Sequence, residues 1–377
     1  MEKRQVSVIG RGIVGLAIAQ VLHEQGWQVT LVGPKSVPGA ASRAAVGTST
    51  LKGNIVAQNP FFGLKIAGHK GLRRWLERLE RLSNHPIPRN FDGAFEPFPN
   101  LAAYRHIRER VFHRQFTGCK NVAVLDHQGL SQRFPQQSRI LDSAMGAFHY
   151  FEDLWFDPSA CLDALEIYLR SSGVLFHEGL VERITPANDL GLLICLNDGQ
   201  MIRSNEVVLA TGVFGNDILE RSGFPDIRQD LFEGETITGS LTVSDQFVLK
   251  IGKINLVVNG PNFFYGSSSR HQTALSFCAP NEQFVSQLRQ EAEKIITPPA
   301  SIASLWGIRG RFKSRVPGVG SVVFPGPMPR RLWLALGFYK NGLQLAHLFA
   351  NNLARLMDNS TLVSTGFPQP IADIRPS

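Results

Sequence analysis

Three glycines near the start of the chain have the spacing of a dinucleotide-binding turn. Gly10, Gly12 and Gly15 follow a short apolar strand at residues 5–9 and precede helical spacing at residues 13–25, after which a second strand begins. Gly10 allows a tight turn, Gly12 lets a pyrophosphate approach the backbone, and Gly15 lets the helix pack on the strand. The helix N-terminus offers free N–H groups to the phosphates. The alternative is a packed strand–helix–strand unit without a ligand.

The acidic residue that normally accompanies this turn is missing. Asp or Glu at the end of the second strand usually hydrogen-bonds the adenosine ribose of the dinucleotide, but this position is Gly33, followed by Pro34 and Lys35. Three interpretations stay open: the dinucleotide binds more weakly, another group holds the ribose, or dinucleotide binding has been lost. Under the first interpretation, Gly33→Glu is expected to tighten binding through charge-assisted hydrogen bonds.

Three arginines towards the end of the chain form a second group with binding chemistry. Arg309, Arg311 and Arg315 have the spacing that would place them on one face of a strand. A guanidinium binds a carboxylate through two parallel hydrogen bonds, so one of them would suit an acidic substrate. Structural ion pairs are the alternative, and the residues alone do not choose among the three.

Composition limits the class of protein. The chain has 377 residues, of which 43% are hydrophobic, and this is enough for two domains with full cores. The cysteines Cys119, Cys161, Cys195 and Cys278 lack the spacing of a metal site or a C-x-x-C motif and indicate a reducing, cytoplasmic location. The net charge of +8 is scattered, without the basic-aromatic patch that would favour a nucleic acid partner.

Export and membrane insertion are not predicted. The charged start of the chain and the apolar stretch behind it imitate a signal peptide. The glycine turn falls inside that stretch, however, and no small-residue cleavage site precedes the second strand. No segment reaches the ~20 apolar residues of a membrane span.

The order of apolar segments predicts an α/β protein with two domains. Short strands alternate with turns at residues 234–277 and predict an antiparallel sheet in an α+β domain. A buried strand at residues 206–212 marks a return to the parallel sheet of a Rossmann-like domain, which is therefore discontinuous. The predicted Rossmann-like domain comprises residues 1–84, 150–214 and 306–357, the second domain comprises residues 85–149 and 215–305, and a tail comprises residues 358–377.

Four stretches, in the same order along the chain, together resemble one family. They are the glycine turn, the small-residue loop A-S-R-A-A-V-G at residues 41–47, the strand and turn at residues 207–212, and the segment L-G-F-Y-K-N-G-L at residues 336–343. The last segment is similar to G-H-Y-R-N-G-I-L at the flavin ring of the FAD-dependent amino-acid and amine oxidases of the D-amino acid oxidase family. The resemblance is greatest to the glycine oxidase-like members and is weaker over the second domain.

This resemblance implies FAD as the cofactor, an FAD-binding role for the Rossmann-like domain and a substrate-binding role for the antiparallel domain. It implies that Arg309 and Tyr339 contact the substrate and that Lys340 assists catalysis. The helix that begins at Gly342 would aim its N-terminus at the flavin ring. The residues that it assigns to FAD are Gly10, Gly12, Ile13, Val14, Gly15, Ser42, Arg43, Ala45, Val46, Gly47, Val181, Ala210, Thr211, Gly212, Gly337, Asn341, Gly342, Leu343 and Gln344.

The chain also departs from the family pattern. Gly33 stands in place of Glu, Phe214 in place of Trp, Phe338 in place of His, Lys340 in place of Arg and His347 in place of Pro. The family's substrate-orienting tyrosine has no counterpart that can be transferred to this sequence. The cofactor contact at the ribose and the details of substrate binding are therefore the parts that the resemblance supports least.

The predicted function is oxidation of a small amine or amino acid by hydride transfer from its α-carbon to flavin. The protein must place the C–H bond over the ring and stabilise negative charge on reduced flavin, but it need not supply an acid or base if the amine arrives neutral. O2 is a candidate electron acceptor, and a homo-oligomer is compatible with the sequence. Two alternatives stay open: oxidation of an aminomethyl group on tRNA, and a flavin-fold subunit that binds or assembles without catalysis.

Overall fold

The structure is a computed structural model that describes residues 4–51, 61–116, 121–134, 143–188, 191–241, 245–252, 254–266, 270–272, 280–296, 302–324 and 330–358. Of the predicted tail, only Asp358 lies within these residues. The described strands are β1 (Gln5–Ile9), β2 (Gln28–Val32), β3 (Thr48–Ser49), β4 (Arg89–Asn90), β5 (Ala94–Phe98), β6 (Val122–Asp126), β7 (Gly146–Tyr150), β8 (Leu154–Phe156), β9 (Leu175–His177), β10 (Val181–Pro186), β11 (Leu192–Leu196), β12 (Met201–Ser204), β13 (Glu206–Leu209), β14 (Asp230–Ser240), β15 (Gln246–Ile251), β16 (Ile254–Asn259), β17 (Asn262–Gly266), β18 (Arg270–Gln272), β19 (Ile302–Arg311), β20 (Gly318–Phe324) and β21 (Arg330–Leu336). The described helices are α1 (Ile13–Glu24), α2 (Phe61–Ser83), α3 (Leu101–Phe116), α4 (His127–Arg133), α5 (Pro158–Ser171), α6 (Gly215–Arg221), α7 (Glu282–Glu293) and α8 (Gly342–Asp358).

The first sheet has the Rossmann-like arrangement that the sequence predicts. Its strands lie in the order β20–β21–β13–β1–β2–β9, and all of them except β20 run parallel. Strands β1 and β13 are buried almost throughout, which is why they appear in the sequence as continuous apolar runs. Because β1 lies in the middle, the glycine turn that follows it opens at the carboxyl edge of the sheet, where α/β proteins bind ligands.

Helices α1, α2, α5 and α8 pack with this sheet in one apolar cluster. Helix α5 begins directly after Asp157, because the Asp157 carboxylate accepts hydrogen bonds from the backbone N of Ser159 (2.8 Å) and of Ala160 (3.1 Å). The apolar residues on the inner face of α5 are buried: Cys161, Leu162, Leu165 and Leu169. Across the described residues, we find no helix with the combined length and apolar character that crossing a bilayer requires.

His347 of α8 is buried inside this helical layer. Its ring stacks on Trp75 of α2 with the centroids 5.6 Å apart, and its Nδ1 has no hydrogen-bond partner within the described chain. Burial lowers the pKa of His347 to about 4, because the charged ring cannot be solvated there. The folded protein therefore keeps this ring neutral at pH values at which an unfolded chain protonates it.

We expect His347 to reduce the stability of the protein as the pH falls from about 6.5 towards 4. In this window the unfolded chain binds a proton that the folded chain does not, so stability is lost on acidification. The shift corresponds to about 3 kcal/mol of unfolding free energy at pH 4. Urea unfolding at pH 7 and pH 4 should show that the wild type loses about 3 kcal/mol more than His347→Leu. An equal loss in both proteins would mean that the folded state also protonates the ring.

The second sheet is large and mostly antiparallel, as predicted. Its strands lie in the order β18–β14–β17–β16–β15–β5–β7–β6, and β19 pairs with the other edge of β14. Strands β15 and β5 meet in one parallel pairing. One side of this sheet packs in an apolar cluster with α4 and α7. The sheet contributes Phe95, Leu256 and Tyr265, and the helices contribute Leu130 and Leu288.

Strand β19 crosses the domain boundary that the sequence suggests at residue 306. Its whole length, Ile302–Arg311, pairs with β14 and so belongs to the second sheet. The same strand is attached to the first part of the molecule, because the backbone N of Ile308 donates to the carbonyl of Gly39 at 2.9 Å. The division into domains stays a prediction, and β19 is the element at which the two sheets meet.

Candidate active site

Two adjoining cavities lie where the two sheets meet. The larger, of about 560 Å³, extends from the glycine turn and the end of β13 to β19 and the start of α8. The smaller, of about 100 Å³, lies between residues 41–48, β14 and residues 339–343. The residues that line both cavities are Ile13, Ala41, Ser42, Arg309, Tyr339 and Gly342.

The three glycines of the turn serve different purposes. Gly10 has a φ of 110°, and a Cβ there would lie 2.6 Å from the carbonyl oxygen of Ala210. A Cβ at Gly15 would lie 2.0 Å from the carbonyl oxygen of Gly10, so this glycine lets α1 pack against the turn. A Cβ at Gly12 would meet only Ser42 Oγ, at 3.2 Å, and Gly12 lines the larger cavity. Gly12 is thus the one of the three that leaves room for a ligand.

The small-residue loop at residues 41–47 closes the cavities beside α1. Ser42 Oγ accepts a hydrogen bond from the backbone N of Ile13 at 3.1 Å, which satisfies the first N–H group of the helix. Arg43 lines the larger cavity and pairs with Asp163 of α5 at 2.8 Å. The loop is therefore fixed to both α1 and α5.

The turn after β13 forms another wall of the larger cavity. Ala210, Thr211 and Gly212 line it, as does Val181 at the start of β10. Thr211 Oγ1 is buried and has no hydrogen-bond partner among the described residues. The hydroxyl is thus enclosed by the protein, near the backbone of Gly215, and is not open to the cavity.

The loop before α8 holds a strained tyrosine at the junction of the cavities. Tyr339 has a φ of 52°, which few residues with a side chain adopt, and its backbone N donates to the carbonyl of Gly310 at 3.0 Å. The backbone N of Gly337 donates to Gln229 Oε1 at 2.9 Å. These contacts attach the loop to β19 and to Gln229, which precedes β14, and Lys340 of the loop lines the smaller cavity.

Two of the three predicted arginines flank the Tyr339 ring. The guanidinium carbons of Arg309 and Arg311 lie 5.8 and 5.4 Å from its centroid. Arg309 lines both cavities, whereas Arg311 lines neither. Burial lowers the pKa of Arg309, against the effect of Tyr339 and Glu235, but a guanidinium stays charged in proteins. The expectation that Arg315 shares this face is wrong, because Arg315 has a φ of 61° and lies beyond the end of β19.

Lysines add positive charge to the smaller cavity. Lys340 lines it, and the buried Lys65 of α2 lies close by, with its carbonyl accepting a hydrogen bond from Gln344 Nε2 at 3.0 Å. Burial, together with Lys250 and Lys340, lowers the pKa of Lys65 to about 8. Among the charged residues that line the smaller cavity, Arg309 and Lys340 outnumber Glu235, and this surplus of positive charge attracts an anionic substrate.

Most of the predicted site residues come together at the cavities. Those that line the larger cavity are Gly10, Gly12, Ile13, Val14, Ser42, Arg43, Val181, Ala210, Thr211, Gly212, Arg309, Tyr339 and Gly342. The smaller cavity adds Ala45, Val46, Gly47, Lys340 and Leu343. The predicted residues that line neither cavity are Gly15, Gly337, Asn341 and Gln344. Gly15 lies in α1 and Gln344 in α8, while Gly337 and Asn341 lie in the loop before α8.

Some residues of the site were not predicted from the sequence. Gln229 connects two walls, because its Nε2 donates to the carbonyl of Gly212 at 2.9 Å while its Oε1 accepts from the loop before α8. Lys65 and Lys250 line neither cavity; they are electrostatically linked to Lys340 of the site through the pKa of Lys65, and they come from elements far from any motif. Arg11 is the one of these residues that the sequence could have revealed, since it is a long charged side chain inside the glycine turn.

Residues 5–356 match the family described as FAD dependent oxidoreductase, DAO. The chain belongs to this family. It is 24% identical over 368 residues to the bifunctional protein ThiO/ThiG of Synechocystis sp., a match that covers 93% of this chain and 51% of that protein. The chain thus spans about half the length of this relative.

Solved structures of DAO-like oxidases share the fold. Glycine oxidase from Bacillus cereus superimposes with a TM-score of 0.80 at 21% identity, over 94% of this chain and 95% of that one. Iminodiacetate oxidase from Chelativorans sp. superimposes with a TM-score of 0.79 at 18% identity, over 96% of this chain and 98% of that one. At these identities the likeness establishes the architecture.

The cavities fit the FAD on which the family depends. The larger cavity begins at a helix N-terminus beside Gly12, where no side chain blocks a pyrophosphate. It reaches the start of α8 at Gly342. The smaller cavity then leaves space for a small substrate beside Arg309.

Proposed function

We propose that the chain oxidises a small amine that carries a carboxylate, such as an amino acid, with FAD as the oxidant. The observation that carries this proposal is the position of Arg309, whose charged group lies at the junction of both cavities beside the Tyr339 ring. A guanidinium there would bind a substrate carboxylate through paired hydrogen bonds. The names of the glycine oxidase and iminodiacetate oxidase neighbours, both referring to small carboxylated amines, support the same substrate class.

The larger cavity is the proposed binding site of FAD. We place the pyrophosphate at Gly12 and the N-terminus of α1, the adenine beside Val181, and the flavin end beside Tyr339 and Gly342. The residues assigned to FAD from the sequence remain the proposed contacts where they line a cavity. Gly15, Gly337, Asn341 and Gln344 would act by shaping the walls.

When bound, FAD supplies the acceptor for a hydride from the α-carbon of the substrate. Arg309 would orient that carbon by holding the carboxylate, while the strained backbone of Tyr339 fixes one wall of the smaller cavity. Lys340 and the N-terminus of α8 would favour negative charge at this end. The same positive surroundings disfavour an ammonium ion, so the substrate nitrogen would be held in its neutral form.

The proposal is tested by reducing the bound flavin without air. Glycine, sarcosine and iminodiacetate are expected to bleach the visible flavin absorbance, and ethylamine, which lacks a carboxylate, is expected to do so far more slowly. Admitting air then tests O2 as the acceptor through recovery of the absorbance. A flavin-loaded protein that none of these amines reduces would overturn the proposed activity. Equal rates with ethylamine would overturn the assignment of a carboxylate to Arg309.

A further inference from the structure

The end of β2 cannot easily hold a carboxylate for the ribose of FAD. Gly33 follows β2, lines the larger cavity and has a φ of 134°, a backbone conformation that favours glycine. A glutamate side chain at this position would be strained. The structure therefore argues against the expectation that Gly33→Glu tightens cofactor binding, and the ribose contact must come from elsewhere in the site.

The neighbouring strand provides a carboxylate at the same edge of the sheet. Strand β9 lies parallel to β2, and the backbone N of Gly33 donates to the carbonyl of His177, the last residue of β9, at 3.0 Å. Glu178 follows directly, and its side chain is 62% exposed. Gly179, the next residue, lines the larger cavity. The Glu178 side chain therefore lies just after the end of β9, the strand next to β2, whereas the ribose-binding carboxylate of this fold usually lies at the end of β2.

Arg11 connects this carboxylate to Gly33. Its Nη1 donates to Glu178 Oε1 and, at 3.3 Å, to the carbonyl of Gly33, while its Nη2 donates to Glu166 Oε2 at 2.9 Å. The Arg11 side chain is only 1% exposed, although the residue lies in the glycine turn and lines the larger cavity. The contact uses one oxygen of Glu178 and leaves Oε2 outside it. Glu178 itself does not line the larger cavity, but Arg11, Gly33 and Gly179, which surround it, do.

We propose that Glu178 binds the adenosine ribose of FAD in place of the missing carboxylate at residue 33, and that Arg11 positions it. An ionised carboxylate accepts strong hydrogen bonds from ribose hydroxyls. Val181, the proposed adenine contact, follows three residues later, and Gly179 between them lines the larger cavity, so Glu178 lies beside the proposed position of the adenosine. The inference rests on the proposed placement of FAD in the larger cavity but not on the identity of the substrate.

The test compares FAD with an FAD analogue whose adenosine lacks both ribose hydroxyls. Dissociation constants are measured by flavin fluorescence with the apoprotein. The wild type is expected to bind FAD about tenfold or more tightly than the analogue, because charged hydrogen bonds are lost with the hydroxyls. Glu178→Gln should lose most of that preference by weakening FAD and not the analogue. The matched control is Glu182→Gln, since Glu182 lines the same cavity and pairs with Arg221 at 2.7 Å; it should keep the wild-type preference.

Two results would overturn the assignment. Equal binding of both cofactors by the wild type would mean that no carboxylate holds the ribose, and equal weakening of both by Glu178→Gln would mean that Glu178 only supports Arg11. If Glu178→Gln does not fold, Glu178→Asp takes its place, because it keeps the charge beside Arg11 but has a shorter reach, and it too should lose the preference. No substrate enters this assay, so failure of the proposed oxidation would leave its outcome unchanged.

Discussion

Arg309→Leu is expected to slow flavin reduction by carboxylated amines about 30- to 1,000-fold while leaving flavin content and fold unchanged. A substrate carboxylate would lose a charge-assisted partner in a largely dry site, and such a loss is worth about 2–4 kcal/mol. Reduction by ethylamine, slow in both proteins, should change little because it has no carboxylate to hold. Anaerobic stopped-flow spectroscopy with glycine and ethylamine measures both rates.

Arg311→Leu is the matched control for this experiment. Arg311 comes from the same strand and lies at a similar distance from the Tyr339 ring, 5.4 Å against 5.8 Å, but it lines neither cavity. Its substitution should leave the reduction rates within a few-fold of the wild type. Equal losses in the two variants would mean that both arginines support Tyr339. Equal losses for glycine and ethylamine in Arg309→Leu would mean that Arg309 holds the flavin and not the substrate.

Local sequence was sufficient to predict those parts of the site that are formed by residues close together in the chain. A strand, a glycine turn and a helix follow one another within residues 5–24, so their geometry depends on their own sequence. Helix α8 likewise begins at Gly342, as the pattern predicts. In both cases the residues that position a helix N-terminus at the cavity belong to the helix itself or to the turn before it.

Contacts between distant parts of the chain could not be predicted in this way. Arg11 and Glu178 are 167 residues apart, and the pair exists only because β2 and β9 are neighbours in the sheet. Alternation suggested one strand face for all three arginines, but it could not show that β19 ends at Arg311 and that the chain has turned before Arg315. The resemblance to the family pointed to Arg309. The pairing of β19 with β14, and the contact of Ile308 with Gly39, place Arg309 at the cavities.

Gly15→Ala is expected to destabilise the protein by about 3 kcal/mol or more, at the upper end of the usual cost of overpacking. The added methyl would lie 2.0 Å from the carbonyl oxygen of Gly10, so α1 must move away from the turn. The turn cannot retreat instead, because Gly10 is packed so closely on Ala210 that a Cβ at Gly10 would itself lie 2.6 Å from the Ala210 oxygen. Urea unfolding of the apoproteins measures this loss without the stabilisation that bound FAD would add.

Gly12→Ala adds the same methyl group three residues earlier, but it should change the flavin content more than the stability. The new methyl would meet only Ser42 Oγ, at 3.2 Å, a side-chain atom that can move, so the unfolding free energy should change by less than about 1 kcal/mol. It would, however, project into the larger cavity at the proposed pyrophosphate position, and the flavin content of the purified protein should fall. If Gly12→Ala keeps its full flavin content, the pyrophosphate does not pass this glycine, and the proposed placement of FAD along the N-terminus of α1 is wrong.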